Sequence, residues 1–165
     1  MRLIHIAATT AAVLATIAAT PTPAHAELAI SVPFAATSGD DCRYGFTEGT
    51  LTWRFGTSPL PVRAVAVKGR VADRPLPADP AVPCRDDGLF SVATFTAFLA
   101  DRAVDRDARR ADNGVTSFEF VLGADSTVSA IDRVVVQVCR HKPSSTVPAY
   151  CGRAAEYRIP PVATP

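Results

Sequence analysis

The sequence is poor in the residues from which most catalytic and metal sites are built. It has 3 histidines, and two of them lie in the first 26 residues, so the rest of the chain has His141 alone. No two cysteines have the C-x-x-C spacing typical of a zinc site, and no nucleotide-binding or catalytic motif is present. This scarcity favours a protein that works by binding, without a cofactor or a metal ion, over an enzyme.

The chain also lacks an excess of charge of either sign. Removing residues 1–26 removes Arg2 and no acidic residue, so the 17 basic and 16 acidic residues become 16 of each. A net charge of zero gives no long-range attraction to a polyanion. Nucleic acid is therefore not an expected partner.

The longest apolar stretch lies at the start of the chain. Residues 1–26 combine Arg2, an apolar run and an A-x-A site ending at Ala26, which is the pattern of a cleaved secretory signal. Pro21 ends the run before the roughly 20 residues that a bilayer span needs. We predict a single domain over 27–165 that is secreted to the extracellular space without a membrane span. An uncleaved N-terminal anchor is the alternative.

All cysteines lie in the predicted mature domain, at Cys42, Cys84, Cys139 and Cys151. An even number of cysteines in an exported chain predicts two disulfides. Among the possible pairings we favour Cys139 with Cys151, because neighbouring strands meet there. We favour Cys42 with Cys84, because both lie in acidic loops. A zinc site is the competing interpretation, but His141 is the only histidine that could complete it.

Apolar and polar residues alternate with period two through most of the domain, whereas a helical period of 3.6 is absent. The residues directed inward by this pattern are Leu28, Ile30, Val32, Phe34, Leu51, Trp53, Phe55, Val65, Val67, Val71, Thr116, Phe118, Phe120, Leu122, Val134, Val136, Val138, Ala155, Tyr157 and Ile159. Residues 89–100 are apolar on both faces, as in a central strand whose second face is also covered. The proline-rich stretch at 74–84 predicts a crossing loop. The pattern predicts an all-β fold, an immunoglobulin-like antiparallel β-sandwich of seven to eight strands, with a jelly roll as the alternative.

A charged segment follows the expected central strand. Aspartate and arginine alternate until Asp112-Asn113-Gly114 offers a turn that tolerates positive φ. We interpret 101–114 as a polar hairpin arm returning to a strand at 115–122, with a short helix at 101–111 as the alternative. The interleaved arginines favour cross-strand ion pairs over calcium binding by Asp105 and Asp107. A slightly better acidic cluster would form beside Cys42 and Cys84, from Asp40, Asp41, Asp86 and Asp87.

The segment between Cys139 and Cys151 is polar and would be closed at both ends by its disulfide. Its candidates for contact with a partner are His141, Lys142, Ser144, Ser145 and Tyr150. A serine hydrolase is not supported, because the histidine lies beside its would-be serines and no G-x-S-x-G turn is present. A loop held at both ends loses less entropy on binding, so we expect it to recognise an unknown protein or cell-envelope partner. A secreted protease inhibitor acting through 139–151 is the alternative.

The signal-like start, the segment RPLPADPAVPCRDDGLFSVATFTA and the turn ADNG resemble small exported proteins of high-GC Gram-positive bacteria. The resemblance covers most of the mature domain. It implies a bacterial, exported β-sandwich. It implies no activity, cofactor or catalytic residue, because none is known for these proteins.

Overall fold

The computed structural model describes residues 29–55, 62–74, 84–124 and 130–159, and their regular structure is entirely β-strand. Within these ranges there is no helix with the length and apolar character needed to cross a membrane. The predicted signal at 1–26, Leu28 and most of the proline-rich stretch lie outside the described residues. The strands are β1 (Ala29–Thr37), β2 (Gly45–Phe55), β3 (Val62–Asp73), β4 (Phe90–Leu99), β5 (Arg102–Ala111), β6 (Val115–Leu122), β7 (Arg133–His141), β8 (Pro148–Cys151) and β9 (Ala155–Arg158).

Two antiparallel sheets form a sandwich. The first has the order β1-β2-β3-β6, and the second has the order β5-β4-β7-β8, with β9 also paired to β7. The predicted antiparallel sandwich with two disulfides is confirmed. The described strands number nine rather than seven or eight, because the chain after β7 forms two short strands that both pair with β7.

The core lies between the sheets and is filled by every second residue of the long strands. Phe95 of β4 lies near its centre, with its ring centroid 5.4 Å from that of Phe34 and 5.3 Å from that of Phe118. Fully burying a side chain of this kind contributes about 1.5–3 kcal/mol. The buried apolar cluster consists of Phe34, Ala36, Leu51, Trp53, Val65, Val67, Val71, Ala93, Phe95, Ala97, Ala111, Phe118, Leu122, Ile131, Val134, Val136 and Val138. Most of the side chains that the alternation directs inward are therefore buried, although Thr116 is exposed.

Strand β4 has the central position predicted for it, between β5 and β7. Its outer face is half-buried at Val92 and Phe98, and no other described strand covers it. The second face of β4 is therefore partly covered. Arginine side chains from the neighbouring strands provide the partial cover, since the Arg133 guanidinium lies 4.6 Å from the centroid of the Phe98 ring.

The predicted hairpin between 101–114 and 115–122 is wrong. β5 pairs with β4 in the second sheet and β6 pairs with β3 in the first, so the turn at 112–114 carries the chain from one sheet to the other. The turn between β4 and β5 brings β5 back beside β4, while Phe118 and Leu122 of β6 complete the core beside β3. Residues 101–111 do not form the alternative helix.

The ion pairs of β5 also differ from those expected. Asp107 pairs with Arg109 at 2.9 Å, and Arg110 pairs with Asp112 at 2.7 Å, in each case two positions along the chain. Cross-strand pairs with β4 cannot form, because β4 contains no charged residue. The charges are consistent with an edge strand that is protected against further pairing.

Four connections meet at one end of the sandwich. They are the β1–β2 loop at 38–44, the β3–β4 connection described from 84 to 89, the β5–β6 turn at 112–114 and the β7–β8 loop at 142–147. We call this the stapled end, because both disulfides lie there. The opposite end carries the β4–β5 turn and the β6–β7 connection.

Candidate binding site

Both predicted disulfide pairings are confirmed, and each joins two elements of the stapled end. Cys42 of the β1–β2 loop bonds Cys84 of the β3–β4 connection, with the Cα atoms 5.7 Å apart. Cys139 of β7 bonds Cys151, the residue directly opposite it in β8. All four cysteines are consumed in this way. The alternative zinc site is therefore wrong.

A buried arginine lies beneath the loops of the stapled end. Arg140 is 1% exposed and points inward from the end of β7. Its Nη1 donates to the carboxylate of Asp73 and, at 2.6 Å, to the hydroxyl of Ser91. Its Nη2 donates to Asp87 Oδ1 at 2.5 Å and to the carbonyl of Leu89 at 3.1 Å. One side chain thus joins β7 to β3, to β4 and to the connection between them.

Asp73 extends this network to the turn between the sheets. It is 2% exposed, and its Oδ2 accepts a hydrogen bond from the backbone N–H of Asn113 at 3.1 Å. Its own N–H donates to the carbonyl of Gly114 at 2.8 Å. Asn113 has the positive φ, 48°, that the turn sequence predicts. The buried Asp73 carboxylate therefore holds both the 112–114 turn and the Arg140 guanidinium in place.

The neighbouring carboxylates of Asp73 and Asp87 keep Arg140 charged. Burial by itself lowers the pKa of Arg140, but hydrogen bonds and charges from Asp73 and Asp87 outweigh it, so that the pKa is raised. The Arg140 Nε has no hydrogen-bond partner among the described residues. A buried charge of this kind is tolerated because its carboxylate partners are in place.

The alternation of apolar and polar residues could have revealed this network. The predicted strand boundaries miss it because they end too early. Arg140 has the same strand parity as Val134, Val136 and Val138, and Asp73 has the parity of Val71. The predicted valine strand stops before Cys139, where the loop at 139–151 is expected to begin, whereas β7 continues to His141. Extending the alternation by two residues places the arginine inside.

The β1–β2 loop is held by short polar contacts. Tyr44 N–H donates to Asp40 Oδ1 at 3.0 Å, and the Tyr44 hydroxyl donates to the carbonyl of Arg85 at 2.6 Å. The Tyr44 ring centroid lies 5.3 Å from the guanidinium carbon of Arg140. The buried Ser38 hydroxyl accepts from Gly45 N–H at 2.9 Å and also contacts the Asp40 carboxylate. These contacts connect the loop to the same central arginine.

Close backbone packing fixes the end of β8 to the first sheet. Gly152 donates its N–H to the carbonyl of Val138 at 2.9 Å. A Cβ at Gly152 would lie 1.9 Å from the carbonyl oxygen of Thr37, which is closer than real Cβ contacts come. Only glycine fits there without moving one of the two sheets.

Of the predicted contact residues, two lie against the body of the protein. His141 stacks on Phe90 with centroids 5.4 Å apart, and burial lowers its pKa. Tyr150 is 37% exposed, and its hydroxyl lies 3.4 Å from Asp40 Oδ2. Burial and the nearby Asp40 charge raise the pKa of Tyr150 to about 12. Both side chains stay neutral near pH 7, and both help to fix the loop.

The remaining predicted residues, Lys142, Ser144 and Ser145, lie in the turn itself. Lys142 and Ser144 are exposed, and Ser145 N–H donates to the carbonyl of Lys142 at 3.0 Å. Neither serine hydrogen-bonds to His141 in the described part of the chain, so no nucleophile–base pair forms there. Val147, which is not among the predicted contact residues, is 69% exposed.

Five of the six acidic residues weighed as calcium ligands, all but Asp41, make other contacts in the described part of the chain. Asp105 accepts from the N–H groups of Arg106 and Gly123, and Asp107 pairs with Arg109. At the stapled end, Asp86 accepts from Gly88 N–H. In the described ranges, no three histidine, cysteine, aspartate or glutamate side chains come together as a metal-binding group.

An open groove of about 770 Å³ crosses the outer face of the first sheet. Its charged residues already pair with one another, Arg70 with Glu48 at 2.5 Å and Lys68 with Glu119 at 3.1 Å. These side chains are between 48% and 75% exposed, so the pairs add little stability. The groove contains none of the predicted contact residues.

Comparison with known proteins adds no family to this description. No family model matches the chain, and no curated protein and no solved structure matches it.

Proposed function

We propose that the protein is an exported binding module without enzymatic activity, and that its stapled end makes the contact. The observation that carries this proposal is the convergence of four connections on one end, held by two disulfides and by the buried Arg140–Asp73 pair. Binding proteins commonly present their contact residues on loops that a rigid sheet scaffold positions.

Two observations support an extracellular site of action. The disulfides are consistent with an oxidising environment. The secretory pattern at 1–26 supports export by a separate line of reasoning. We therefore place the partner among extracellular or cell-envelope components.

Preorganisation supports binding as the use of these loops. A loop that is flexible before binding loses entropy when it becomes ordered, at a cost of about 0.5–1.5 kcal/mol for each immobilised side chain. The β7–β8 loop, the β1–β2 loop and the 112–114 turn are already tied by covalent or buried bonds. Less main-chain entropy therefore remains to be lost at the stapled end.

Affinity capture with a matched pair of charge-swap variants tests the proposal. The bait is the secreted protein, presented to culture fluid and envelope proteins of the cells that produce it. Asp41→Arg with Lys142→Glu alters the stapled end, whereas Lys68→Glu with Glu119→Lys alters the groove, and both leave the net charge unchanged.

We expect the groove variant to retain the captured partner and the stapled-end variant to lose at least about tenfold in affinity. The reverse result would move the binding site to the groove. If the wild-type protein retains nothing beyond what a reduced, unfolded sample retains, the binding function itself is wrong.

Protease inhibition through 139–151 is the alternative proposal. Extended peptides that dock on a partner rely on free main-chain hydrogen-bonding groups. Here the carbonyl of Lys142 accepts from Ser145 N–H, and Pro143 follows it. This engagement favours contact through side chains over an inhibitor-like main-chain contact. Assays with trypsin-like, chymotrypsin-like and subtilisin-like proteases test the alternative, which requires inhibition by micromolar protein.

A further inference from the structure

The edge strand β1 of the first sheet is closed to further pairing. An edge strand presents N–H and C=O groups that a second chain can pair with, and proteins usually block such edges. In β1, Pro33 has no N–H to donate. The Tyr157 hydroxyl accepts from Ala35 N–H at 2.9 Å and donates to the Ala35 carbonyl at 2.8 Å. The main chain of this edge is therefore already occupied.

The edges of the second sheet are blocked by other means. Aspartate and arginine fill much of β5, and β8 and β9 have 4 residues each. Charged and very short edge strands both discourage pairing. β6, at the other edge of the first sheet, has 8 residues, no proline and Glu119 as its one charge. Among the described edge strands, β6 is therefore the one that is left open.

Alternate residues of β6 direct their main-chain groups to β3 and to the free edge. Asp73 N–H donates to the carbonyl of Gly114, the residue opposite it, so Gly114 and every second residue after it bond to β3. No side chain of the described ranges hydrogen-bonds to the main chain of the residues between them. The residues whose N–H and C=O groups point to the free edge are Val115, Ser117, Glu119 and Val121.

A second copy of the chain fits this edge best in one antiparallel register. A two-fold axis at Phe118 places Val115 opposite Val121 of the second copy, and Ser117 opposite its Glu119. Every edge-facing residue of β6 then has a main-chain partner. An axis at Glu119 would place two carboxylates directly opposite each other, which is destabilising. An axis at Ser117 would place the Glu119 carboxylate opposite Val115.

The neighbouring strands extend the match in the favoured register. One row of outward side chains consists of Glu48, Arg70 and Ser117, followed by Glu119 and Lys68 of the second copy. The charges in this row alternate in sign. The next row consists of Ala72 and Val115, followed by Val121 and Ala66 of the second copy. It is apolar throughout, and it would cover the two most exposed large apolar side chains of the described strands, Val115 at 44% and Val121 at 40%.

We propose that β6 is a dimerisation edge, at which two copies of the chain join their first sheets into one continuous sheet. This inference goes beyond the proposed binding function and does not depend on it. The two β6 strands run antiparallel across the axis, so the stapled ends of the two copies point in opposite directions. A dimer of a binding module would thus present two contact surfaces that face away from each other.

Sedimentation velocity of the secreted protein over a range of concentrations tests the proposal, with a matched pair of proline variants. Ser117→Pro removes an N–H from the free edge of β6, and Ser31→Pro removes one from the free edge of β1. Both serines are exposed, and neither N–H belongs to the ladder inside the sheet, so proline is tolerated at both positions. Thermal unfolding establishes that each variant folds.

We expect the wild type to dimerise with a dissociation constant of about 10 micromolar, as for a small interface. Ser117→Pro should raise this constant at least about tenfold, because a symmetric dimer loses the same hydrogen bond twice. Ser31→Pro should leave it unchanged. Val121→Asp places a charge in the apolar row and should also raise it at least about tenfold, so it provides the test if Ser117→Pro fails to fold.

Disulfide cross-linking tests the register. Val115→Cys with Val121→Cys should join two copies covalently on oxidation, because the two positions lie opposite each other at a distance that a disulfide spans. Either single variant should stay uncross-linked, since the two copies of one position lie about 20 Å apart along the strands. Non-reducing electrophoresis separates the two results.

Three results would overturn the proposal. The first is a wild type that stays monomeric at about 100 micromolar, well above the expected dissociation constant. The second is a dimer that Ser31→Pro breaks and Ser117→Pro does not. The third is a monomeric wild type whose captured partner is lost in Ser117→Pro, which would mean that the edge pairs with a strand of another protein. The proposed binding function fails separately, when the wild type captures nothing.

Discussion

Strand β7 carries an arginine at each end of the sandwich, and the two are held very differently. Arg140 at the stapled end is 1% exposed, and Asp87 lies 2.5 Å from its Nη2. The Arg133 side chain at the opposite end is 13% exposed, and its carboxylate neighbours lie at 3.5–3.6 Å. These neighbours are Asp101, Asp132 and Glu156.

Strand parity explains the difference. Arg140 lies on the inward face of β7, among buried groups, so its charge needs short bonds to fixed partners. Arg133 lies on the outward face, where its carboxylate partners are at least 39% exposed, so solvent screens these looser pairs. Substitutions at the two ends should therefore have unequal effects, although both sites are ion pairs on one strand.

The largest loss of unfolding free energy should come from removing the disulfides. Both lie at the stapled end, and the described part of the opposite end has none. Cys42→Ala with Cys84→Ala opens a loop with a sequence separation of 42 and should cost about 4 kcal/mol of unfolding free energy. Cys139→Ala with Cys151→Ala opens one with a separation of 12 and should cost about 3 kcal/mol. Denaturant titration measures both. A smaller loss for the first pair than for the second would contradict the loop-entropy argument.

The next largest loss of unfolding free energy should come from removing a buried charge partner of Arg140. Asp73→Asn should lower the free energy of unfolding by about 3 kcal/mol, because Arg140 keeps its charge and loses its most buried counter-charge. Glu156→Gln at the opposite end should change it by less than about 1 kcal/mol. Urea denaturation of the two variants makes the comparison, and equal losses would mean that burial does not separate the two arginines.

A smaller effect should follow from filling the close contact between the sheets. Gly152→Ala should cost about 2 kcal/mol, because the new Cβ meets the carbonyl of Thr37 and a backbone must move. Gly114→Ala is the matched control, since the nearest atom to its Cβ is 3.6 Å away. Thermal unfolding of both variants should show a clear loss at Gly152 alone.

The smallest effect is on the pH dependence of the unfolding free energy. It arises at the stapled end, from His141. Burial lowers the pKa of His141, so the folded protein binds this proton less readily than the unfolded chain does. The resulting stability is present above pH about 6.5, the unfolded value, and is lost as the pH falls through the lower folded pKa. His141→Phe preserves an aromatic stack on Phe90 and should remove this part of the pH dependence. A profile that is identical in wild type and variant would show that His141 does not contribute.

The sequence predicted the parts of the fold that depend on repeated local patterns. Alternation over β2, β3 and β7 identified Trp53, Val65 and Val136 as core, because burial of one sheet face requires period two. Cysteine positions in acidic loops and neighbouring strands predicted both disulfides. These features are readable because each is encoded within a few residues.

The features that the sequence did not predict depend on long-range pairing. Nothing local to 101–122 shows that β5 pairs with β4 while β6 pairs with β3, so a hairpin was the natural interpretation. The Arg140–Asp73 pair joins residues 67 positions apart, and a polar residue at an inward position reads as the end of a strand until its partner is known.

Hydrogen exchange at individual amides tests most directly whether the stapled end is a preorganised platform. The amides of Tyr44, Asn113 and Gly152 report on its loops, and that of Ala100, which donates to the partly exposed Asp132, reports on the opposite end. We expect the first three to exchange only when the whole domain unfolds, and Ala100 to exchange through local fraying. Exchange of all four at the same fast rate would contradict a preorganised stapled end.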